Sequence, residues 1–489
     1  MVNTRVAVIG GGLSGLVAAY EISRRDPDSD VVVFEASDAV GGKLKTVDLA
    51  TGSVDVGAEA YLAFRADATR FFTSLGLKDR LRYPSDLKSG LWIGDGVLHS
   101  VPSRTVMGIP ADSSSVKDLV DSETCARIDA EGEAYPIPWM EGEDALLGAL
   151  VAERMGQQVV DHVVSPLLGG VYSSRAEDLG LRATIPELAA AMDDLANHGE
   201  PVTLTQAAAA VLQQRDEARE ARVAGGAADE DSPSASAKKP PVFASFVGGY
   251  RDLIDALIEQ SSATIRVNTP VSAVVPTKAA SSHRFHVVTG SSSAESENFD
   301  GVIVATPADV AAQQLAEVAP VTADILGSMD LASSVVLGLR LPSDEGIPEK
   351  TGILVSPDAG LHAKAFTFSS RKWPHVNDQV GAFIRASFGH WGDDSLVRED
   401  EDTLVKYAID DFEKITGQRL HPEETVLQKW WGGLPRYGMG HDELVNVALQ
   451  DISQVDGLEV AGSIWHGVGV PACIAQAREA AKKVMDTIM

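Results

Sequence analysis

The stretch RVAVIGGGLSG, from Arg5 to Gly15, decides the fold of the N-terminal part of the chain. Its first half is rich in β-branched residues, which is typical of a buried parallel strand. Three glycines spaced G-x-G-x-x-G follow, and the run from Leu13 to Arg24 has helical periodicity. A second apolar run from Val31 to Phe34 predicts another strand. The segment therefore predicts a strand–turn–helix–strand unit.

This glycine turn has the chemistry of a dinucleotide site. Glycine permits a tight turn, a close approach of the backbone to a pyrophosphate, and close packing of helix on strand. The helix N-terminus offers free N–H donors to phosphate oxygens. Glu35 lies 20 residues after Gly15, at the end of the second strand, where a carboxylate binds ribose hydroxyls. The alternative interpretation is a plain tight turn followed by a surface glutamate.

Three further segments narrow the dinucleotide to FAD. Glycine turns at Gly41–Thr46 and Asp55–Ala60 come shortly after the first, so the backbone can approach a longer ligand. Near the C-terminus a strand ends at Ala461-Gly462, and Gly467–Pro471 opens a helix that runs to about Asp486. A helix N-terminus directed at a flavin ring stabilises negative charge on the reduced N1–C2=O edge.

The bulk composition excludes several classes of protein. The chain has 489 residues, 41 basic and 70 acidic, with a net charge of −29, which argues against nucleic acid and anionic lipid as partners. Cys125 and Cys473 are far apart, so we predict no disulfide and a cytoplasmic location. No apolar run is long enough for an integral membrane segment. No metal site is indicated.

The same reasoning assigns the electron path. Nothing else in the chain resembles a second dinucleotide fingerprint, which an NADPH-linked reductase would need. We therefore expect electrons to enter from an organic substrate and to leave to oxygen or another small acceptor. The scattered histidines are interpreted as packing or surface residues, no Ser/His/Asp triad can be read from them, and no catalytic side chain is assigned.

The rest of the chain is predicted to form other domains. Residues 143–214 read mainly as helices, and alternating apolar and polar runs in 332–388 suggest an antiparallel sheet. The polar segment 215–241 predicts a mobile linker. We predict a discontinuous FAD-binding domain formed by residues 1–75, 242–310 and 426–489. A mainly helical domain with substrate contacts is predicted at 76–214, the linker at 215–241 and a substrate-binding domain at 311–425.

Several motifs resemble those of the bacterial porphyrinogen oxidases of haem synthesis, a family of amine-oxidase-like flavoproteins. The resemblance covers nearly the whole chain and is carried by MGIP at Met107–Pro110, SPLLGGVY at Ser165–Tyr172, Asp178-Leu179, FVGGYRDL at Phe246–Leu253, FSSRKWP at Phe368–Pro374, WWGGLPRYGMGH at Trp430–His441 and GVGVPACI at Gly467–Ile474. It implies an α/β and α+β fold, in which a discontinuous Rossmann-like FAD-binding domain is joined by an antiparallel-sheet substrate domain and a helical domain.

The resemblance also implies which residues bind the cofactor. FAD would be held without a covalent bond, and Val271 would contact it through the backbone. The implied FAD contacts are Gly10, Gly11, Gly12, Leu13, Ser14, Gly15, Glu35, Ala36, Gly42, Lys43, Gly57, Ala58, Glu59, Ala60, Val271, Trp430, Gly462, Gly467, Val468, Gly469 and Val470.

The implied reaction is the six-electron oxidation of a porphyrinogen to a porphyrin, in three hydride transfers to flavin N5, with oxygen reduced to peroxide. This reaction needs no strong general base, so catalysis would rest on placement in a dry pocket and no acid–base dyad is expected. Leu167, Leu168, Gly169 and Val171 are expected to line that pocket. Arg65, Arg371, Lys372 and Arg436 are candidates for binding the propionates, although each is equally consistent with a solvated surface charge.

The substrate within this family stays open between coproporphyrinogen III, which the soluble Gram-positive-type branch favours, and protoporphyrinogen IX. Plant and mitochondrial members have an arginine where Ser89-Gly90 stand here, so that propionate contact cannot be transferred. An amine oxidase, a carotenoid-desaturase-like enzyme and a non-enzymatic FAD-binding module are the rival interpretations. A product hand-over to a ferrochelatase and a loose membrane association are consistent with the resemblance.

Overall fold

A computed structural model describes residues 4–224, 242–277, 282–290, 296–377 and 379–489. The chain forms two compact units. The first comprises Met1–Tyr83, Pro240–Leu331 and Asp442–Met489, and the second comprises Pro84–Lys239 and Ala332–His441. We call them the nucleotide unit and the sheet–helix unit.

A five-stranded parallel sheet forms the centre of the nucleotide unit. Its strands lie in the order Thr264–Arg266, Asp30–Phe34, Arg5–Ile9, Gly301–Val304 and Leu458–Val460. Arg5–Ile9 pairs in parallel with both of its neighbours, with Val8 opposite Val33 on one side and Ile303 on the other. The predicted strand–turn–helix–strand unit is confirmed, with the helix at Leu13–Arg25.

Alternation along these strands builds two hydrophobic cores. Val6 and Val8 face one core, whereas Ala7 and Ile9 face the other. The helices Leu13–Arg25, Ala66–Ser74, Arg251–Gln260 and Val470–Ile488 contribute to the first core. The second core contains residues of the helices Ala308–Leu315, Pro320–Ser328 and His441–Ile452 and of the antiparallel sheet Val271–Pro276, Phe285–Thr289 and Ser296–Phe299.

Two small sheets complete the nucleotide unit. Thr46–Leu49 pairs antiparallel with Gly52–Asp55, which places the second and third glycine turns side by side. Phe243–Phe246 lies between Tyr61–Leu62 and Leu81–Arg82 and is antiparallel to both.

The sheet–helix unit contains a seven-stranded sheet in the order Glu424–Pro435, Leu331–Leu341, Ala382–Phe388, Ala365–Thr367, Gly352–Val355, Gly90–Trp92 and Leu98–Ser100. Its hydrophobic core includes residues of the helix Glu401–Thr416. The antiparallel prediction for residues 332–388 is confirmed, and Gly90–Trp92, from outside that range, joins Gly352–Val355 in parallel. Parallel pairing is possible here since the two strands are more than 250 residues apart in the chain.

The helical part of this unit confirms the mainly helical interpretation of its sequence. Short helices lie at Ser369–Lys372, Pro374–Asn377 and Ser395–Arg398. A small antiparallel sheet in the same unit consists of the strands Thr105–Val106 and Ile109–Pro110. A π-helical turn at Val160–Val164 precedes Pro166, which has no N–H to continue an α-helical ladder. The longer run of helices consists of Ser122–Ala130, Leu147–Met155, Gln157–Val159, Ser165–Tyr172, Leu181–Thr184, Pro186–Asn197 and Leu204–Ala224.

The predicted start of the linker at residue 215 is wrong. The helix that begins at Leu204 continues to Ala224. Its polar end is held by charge pairs, in which Arg215 binds Glu187 and Asp216 lies 3.2 Å from Arg104. The remainder of the predicted linker, residues 225–241, lies outside the described residues.

The unit boundaries also differ from the predicted domain bounds. The two compact units divide at Tyr83, Leu331 and His441, whereas we predicted changes of domain near residues 75, 310 and 425. The helices Ala308–Leu315 and Pro320–Ser328 belong to the second core of the nucleotide unit, which moves the boundary past them. In the described ranges, no helix is both long and apolar enough to cross a bilayer.

A buried carboxylate holds the start of the longest helix in the sheet–helix unit. Glu131 is 2% exposed. Its oxygens accept hydrogen bonds from the amides of Leu204 and Thr205 at 3.0 and 2.9 Å and from Arg154 Nε at 2.8 Å. Burial alone raises the pKa of this carboxyl, but these donors outweigh it and lower the pKa below its usual value.

We therefore expect Glu131→Gln to destabilise the fold by about 1–3 kcal/mol, because an amide cannot accept all of these bonds. The measurement is urea unfolding at pH 7, with Glu133→Gln, an exposed change in the same turn, as the control. Since the folded pKa is lowered, the stabilisation is present above the unfolded pKa and is lost as pH falls through the folded pKa. Equal stability of the two variants at pH 7 would contradict this assignment.

Candidate functional site: a nucleotide-binding edge

The predicted cofactor residues of the nucleotide unit gather at one edge of its parallel sheet. Gly10 directly follows the strand Arg5–Ile9, and Glu35 follows Asp30–Phe34. Ala461 and Gly462 follow the last strand, Leu458–Val460. Because the strands are parallel, their carboxyl ends share one edge, which is where open α/β sheets bind ligands.

The first glycine turn is tight enough to require glycine. Gly10 has φ +105°, a left-handed conformation that other residues avoid. A Cβ on Gly15 would lie 1.8 Å from the Gly10 carbonyl oxygen, so helix and strand meet too closely for any side chain. A Cβ on Gly12 would meet only Gly42 Cα at 3.9 Å, so this position is open on the protein side.

Glu35 is fixed in position by the turn itself. Its Oε2 accepts the Gly11 N–H at 2.8 Å, and its Oε1 accepts from the Ser37 amide and hydroxyl at 2.8 and 2.7 Å. The carboxylate is half-buried. Each carboxylate oxygen has two acceptor positions and three of the four are filled, so Glu35 Oε2 can still accept one hydrogen bond from a ribose.

The second and third glycine turns lie against each other and against the first. Gly41 N–H donates to the Gly11 carbonyl at 2.9 Å, and Ala58 N–H donates to the Lys43 carbonyl at 3.2 Å. A Cβ on Gly57 would lie 2.0 Å from the same Lys43 oxygen. The three turns that the sequence places within 60 residues therefore form one continuous backbone surface.

The C-terminal turn joins this surface through Lys43. Cys473, at the start of the C-terminal helix, has its Sγ 3.9 Å from the Gly467 carbonyl oxygen. Burial raises the pKa of the Cys473 thiol to about 11, although the Lys43 charge and a hydrogen bond with Ser14 lower it. Burial also lowers the pKa of Lys43, against the opposing effects of Cys473 and Asp309. A thiol that stays protonated is a poor nucleophile, which favours the predicted non-covalent attachment of the flavin.

The final helix begins as predicted. Val470–Ile488 starts after Gly469, and Pro471 lies in its first turn. Gly469 has no side chain to cap the first amides of this helix. Those amides have no partners within the helix, so they can donate to a ligand.

These groups fit FAD. Two helix N-termini, at Leu13 and Val470, are each preceded by a glycine, and a fixed carboxylate lies beside the first of them. Amide donors and positive dipole ends match a pyrophosphate and a flavin carbonyl edge, and the carboxylate matches a ribose. Among the described residues, no group of three or more His, Cys, Asp or Glu side chains could bind a metal ion.

The other predicted cofactor contacts remain predictions. Ala36 is exposed, and Glu59 and Ala60 are half-buried beside the third turn. Val271 is expected to contact the cofactor through its backbone, and its carbonyl accepts a hydrogen bond from Gln314 Nε2 at 3.0 Å. Trp430 is a half-buried residue of the strand Glu424–Pro435, in the sheet–helix unit.

The predicted apolar substrate residues share one helix, Ser165–Tyr172. Val171 is 41% exposed, whereas Leu168 is fully buried. Leu167 and Gly169 are half-buried. The exposed side of this helix thus consists of small and apolar groups, and Leu168 packs inside.

The predicted basic residues have partners of differing kinds. Arg65 pairs with Asp67 and Arg371 pairs with Asp344, each at 2.9 Å. Lys372 Nζ lies 5.0 Å from the centre of the Trp373 ring. The Arg436 guanidinium lies 4.2 Å from the centre of the Trp391 ring, a cation–π arrangement. Arg65 and Arg371 therefore each have a carboxylate of the chain as a counter-charge.

Three residues that the sequence reasoning missed adjoin the helix Ser165–Tyr172. Lys364 donates to Ser173 Oγ, and Trp391 N–H donates to the Ser173 carbonyl, each at 2.7 Å. A lysine inside the mostly apolar run from Leu361 to Phe368 was the one available signal.

The first turn yields a test with a matched pair of variants. Gly12→Ala should leave the apoprotein as stable as the wild type, because a Cβ has room there, but it should obstruct the pyrophosphate and weaken FAD binding by about tenfold or more. Gly15→Ala should instead lower the stability of the apoprotein, because its Cβ meets the Gly10 carbonyl. Thermal unfolding of apoprotein and FAD titration separate the two effects. Wild-type FAD affinity in Gly12→Ala would contradict the assignment.

Comparisons with known proteins agree with this site. The model of the flavin containing amine oxidoreductase family matches residues 13–485. A relative from Mycobacterium tuberculosis H37Rv, named coproporphyrinogen III oxidase, is 35% identical over 482 residues, which are 98% of this chain and 97% of the relative. A crystal structure from Exiguobacterium sp. 255-15, described as a candidate protoporphyrinogen oxidase, has a TM-score of 0.80 at 25% identity over 99% of both chains.

A structure of cyclohexylamine oxidase from Brevibacterium oxydans IH-35A has a TM-score of 0.65 at 14% identity over 99% of both chains, which shows a shared fold. The predicted α/β and α+β fold is thereby confirmed. The match of the family model to nearly the whole chain also confirms the predicted flavin. The chain belongs to the flavin-containing amine oxidoreductase family.

Proposed function

We propose that this protein oxidises coproporphyrinogen III to coproporphyrin III with FAD as its cofactor. The observation that carries the proposal is the 35% identity to a relative of that name over 98% of the chain, so that both units are covered. A likeness confined to the nucleotide unit would have supported FAD binding alone. Because the likeness also extends over the sheet–helix unit, it supports the choice of a porphyrinogen as the substrate.

The chain's part in this reaction is binding and placement. The Gly10–Gly15 turn and Glu35 would hold the nucleotide end of FAD, and the amides at the start of the helix Val470–Ile488 would donate to its flavin end. FAD, when bound, supplies a two-electron acceptor for each step of the porphyrinogen oxidation. The porphyrinogen gains aromaticity as it is oxidised, so no strong general base is needed. The contribution of the side chains is to orient the macrocycle and to exclude water.

The surface of the helix Ser165–Tyr172 suits such a substrate. Gly170 and Val171 are exposed, and Leu167 and Gly169 are half-buried, so a flat apolar macrocycle can approach without meeting bulky polar groups. We propose that this surface lines the porphyrinogen pocket, in line with the expectation from the sequence.

Further parts of the proposal concern the fate of electrons and product. Molecular oxygen is the proposed terminal acceptor, reduced to hydrogen peroxide. The product is a reactive porphyrin, so hand-over to a ferrochelatase is the proposed next step. We propose a cytoplasmic protein, and loose association with a membrane stays compatible with this location.

Protoporphyrinogen IX is the second candidate substrate, because the Exiguobacterium structure is described as a candidate oxidase of that compound. The two substrates differ in charge, since coproporphyrinogen carries four propionates and protoporphyrinogen two. The likeness to cyclohexylamine oxidase concerns the fold alone and does not support an amine substrate.

Steady-state kinetics with oxygen uptake followed test the proposal. We expect a kcat/KM for coproporphyrinogen III at least about tenfold above that for protoporphyrinogen IX, a difference of about 1.4 kcal/mol in transition-state binding. Cyclohexylamine and putrescine serve as controls and should not be oxidised. A preference for protoporphyrinogen IX would favour the second candidate, and turnover of the amines alone would contradict both.

A further inference from the structure

Lys364 is a charged residue placed within the large sheet of the sheet–helix unit. Its N–H donates to the Ser387 carbonyl at 2.9 Å, and its carbonyl accepts from Val355 at 3.0 Å. Its backbone thus bridges the strands Ala382–Phe388 and Gly352–Val355. The side chain is half-buried.

The ammonium group of Lys364 has only neutral acceptors. It donates to Ser173 Oγ and to the Gly389 carbonyl, each at 2.7 Å. An ammonium has three N–H donors, and no carboxylate of the described residues pairs with this one. Burial lowers the pKa of Lys364 to about 7. A partly desolvated charge without a counter-charge is unfavourable.

Four part-buried arginines of the same unit differ from Lys364 in this respect. Each of four arginines has its guanidinium within 3 Å of a carboxylate oxygen. These pairs are Arg154–Glu131, Arg182–Asp193, Arg340–Glu423 and Arg371–Asp344. Lys364 therefore lacks the counter-charge that each of these four arginines has.

A purely structural role does not explain the choice of lysine. Lys364 connects Ser173, which follows the helix Ser165–Tyr172, to the loop at Gly389. A neutral amide or hydroxyl could donate to the same two acceptors without the cost of burying a charge. The positive charge itself requires a reason, and an anion from outside the chain would supply it.

The surroundings indicate the class of anion. The helix whose end Lys364 contacts exposes Gly170 and Val171. Leu354 lies close to this helix, since its Cδ2 would be 3.9 Å from a Cβ on Gly170. Trp391 also contacts Ser173, through its backbone N–H. An amine beside small and apolar groups suits an apolar molecule that carries a carboxylate.

We propose that Lys364 binds a propionate carboxylate of the porphyrinogen and thereby helps to select a carboxylate-rich substrate. This inference rests on the proposed function. Ser89-Gly90 stand where related enzymes of plants and mitochondria have an arginine, and the Ser89 hydroxyl is 2.9 Å from Thr351 Oγ1. That arginine contact therefore cannot be transferred to this chain.

The proposal has a pH-dependent consequence. Below a pH of about 7 Lys364 is charged and binds a carboxylate, and above it the free protein loses this charge, so affinity falls as pH rises. Segments that hold or adjoin Lys364 carry other titratable or charged groups. The variant Lys364→Arg keeps its charge across this pH range, so any pH dependence that it retains comes from those other groups. These groups are Tyr172, Arg175, His362, Arg385, His390, Asp393 and Asp411.

Lys364→Met, Lys364→Arg and Ser173→Ala, each as FAD-loaded full-length protein, test the proposal. The probes are coproporphyrin III and its tetramethyl ester, titrated by porphyrin fluorescence, together with the KM for coproporphyrinogen III. Lys364→Met should weaken binding of the tetra-acid by about tenfold or more, the scale of one lost charge-assisted contact, and should leave the ester unaffected. Ser173→Ala removes a hydrogen bond but keeps the charge, so it should resemble the wild type.

Lys364→Arg should retain tight binding of the tetra-acid and lose the fall in affinity above pH 7. Equal loss of acid and ester binding in Lys364→Met, or no loss of either, would overturn the proposal. If Lys364→Met does not fold, a pH dependence in Lys364→Arg equal to that of the wild type would overturn it instead. Wild-type protein that fails to oxidise coproporphyrinogen III refutes the proposed function, and with it this inference. If the wild type oxidises coproporphyrinogen III normally and Lys364→Met binds the tetra-acid as tightly as the wild type, the inference about Lys364 is refuted but the proposed function is not.

Discussion

The close contact between Gly15 and the Gly10 carbonyl is the constraint on which the nucleotide unit depends. A Cβ at Gly15 would lie 1.8 Å from that oxygen, so the helix Leu13–Arg25 can pack on the strand Arg5–Ile9 only if this residue is glycine. The contact sets where the helix begins and therefore where its free amides point. The helix is buried along most of its length, so a shift here would be transmitted into the first core.

The other parts of the cofactor site are arranged around this contact. Gly41 is hydrogen-bonded to Gly11, and the Lys43 carbonyl receives the third turn through Ala58. Lys43 and Ser14 in turn lower the pKa of the Cys473 thiol, at the start of the last helix, against the larger effect of burial. Segments from both ends of the chain thus form a single surface, which explains why the nucleotide unit is discontinuous in sequence.

Much of this surface could be predicted, because it depends on local patterns. The spacing of Gly10, Gly12 and Gly15 between an apolar run and a helical run has few alternative structures, and Glu35 follows at the expected distance. Errors arose where a structure depends on partners that are distant in sequence. The polar residues from Arg215 onward resemble a linker until Glu187 and the Glu131 cap are seen to hold their helix. Lys364 could not be connected with Ser173 and Gly389, since the three meet only in the folded chain.

The central claim is that this flavoprotein removes six electrons from one porphyrinogen, two at a time. The most direct measurement is an anaerobic titration of the FAD-loaded protein with coproporphyrinogen III, in which flavin absorbance at about 450 nm and the porphyrin Soret band are recorded together. The account predicts three flavins reduced for each coproporphyrin III formed. Flavin that stays oxidised, or porphyrin that forms without flavin reduction, would contradict it.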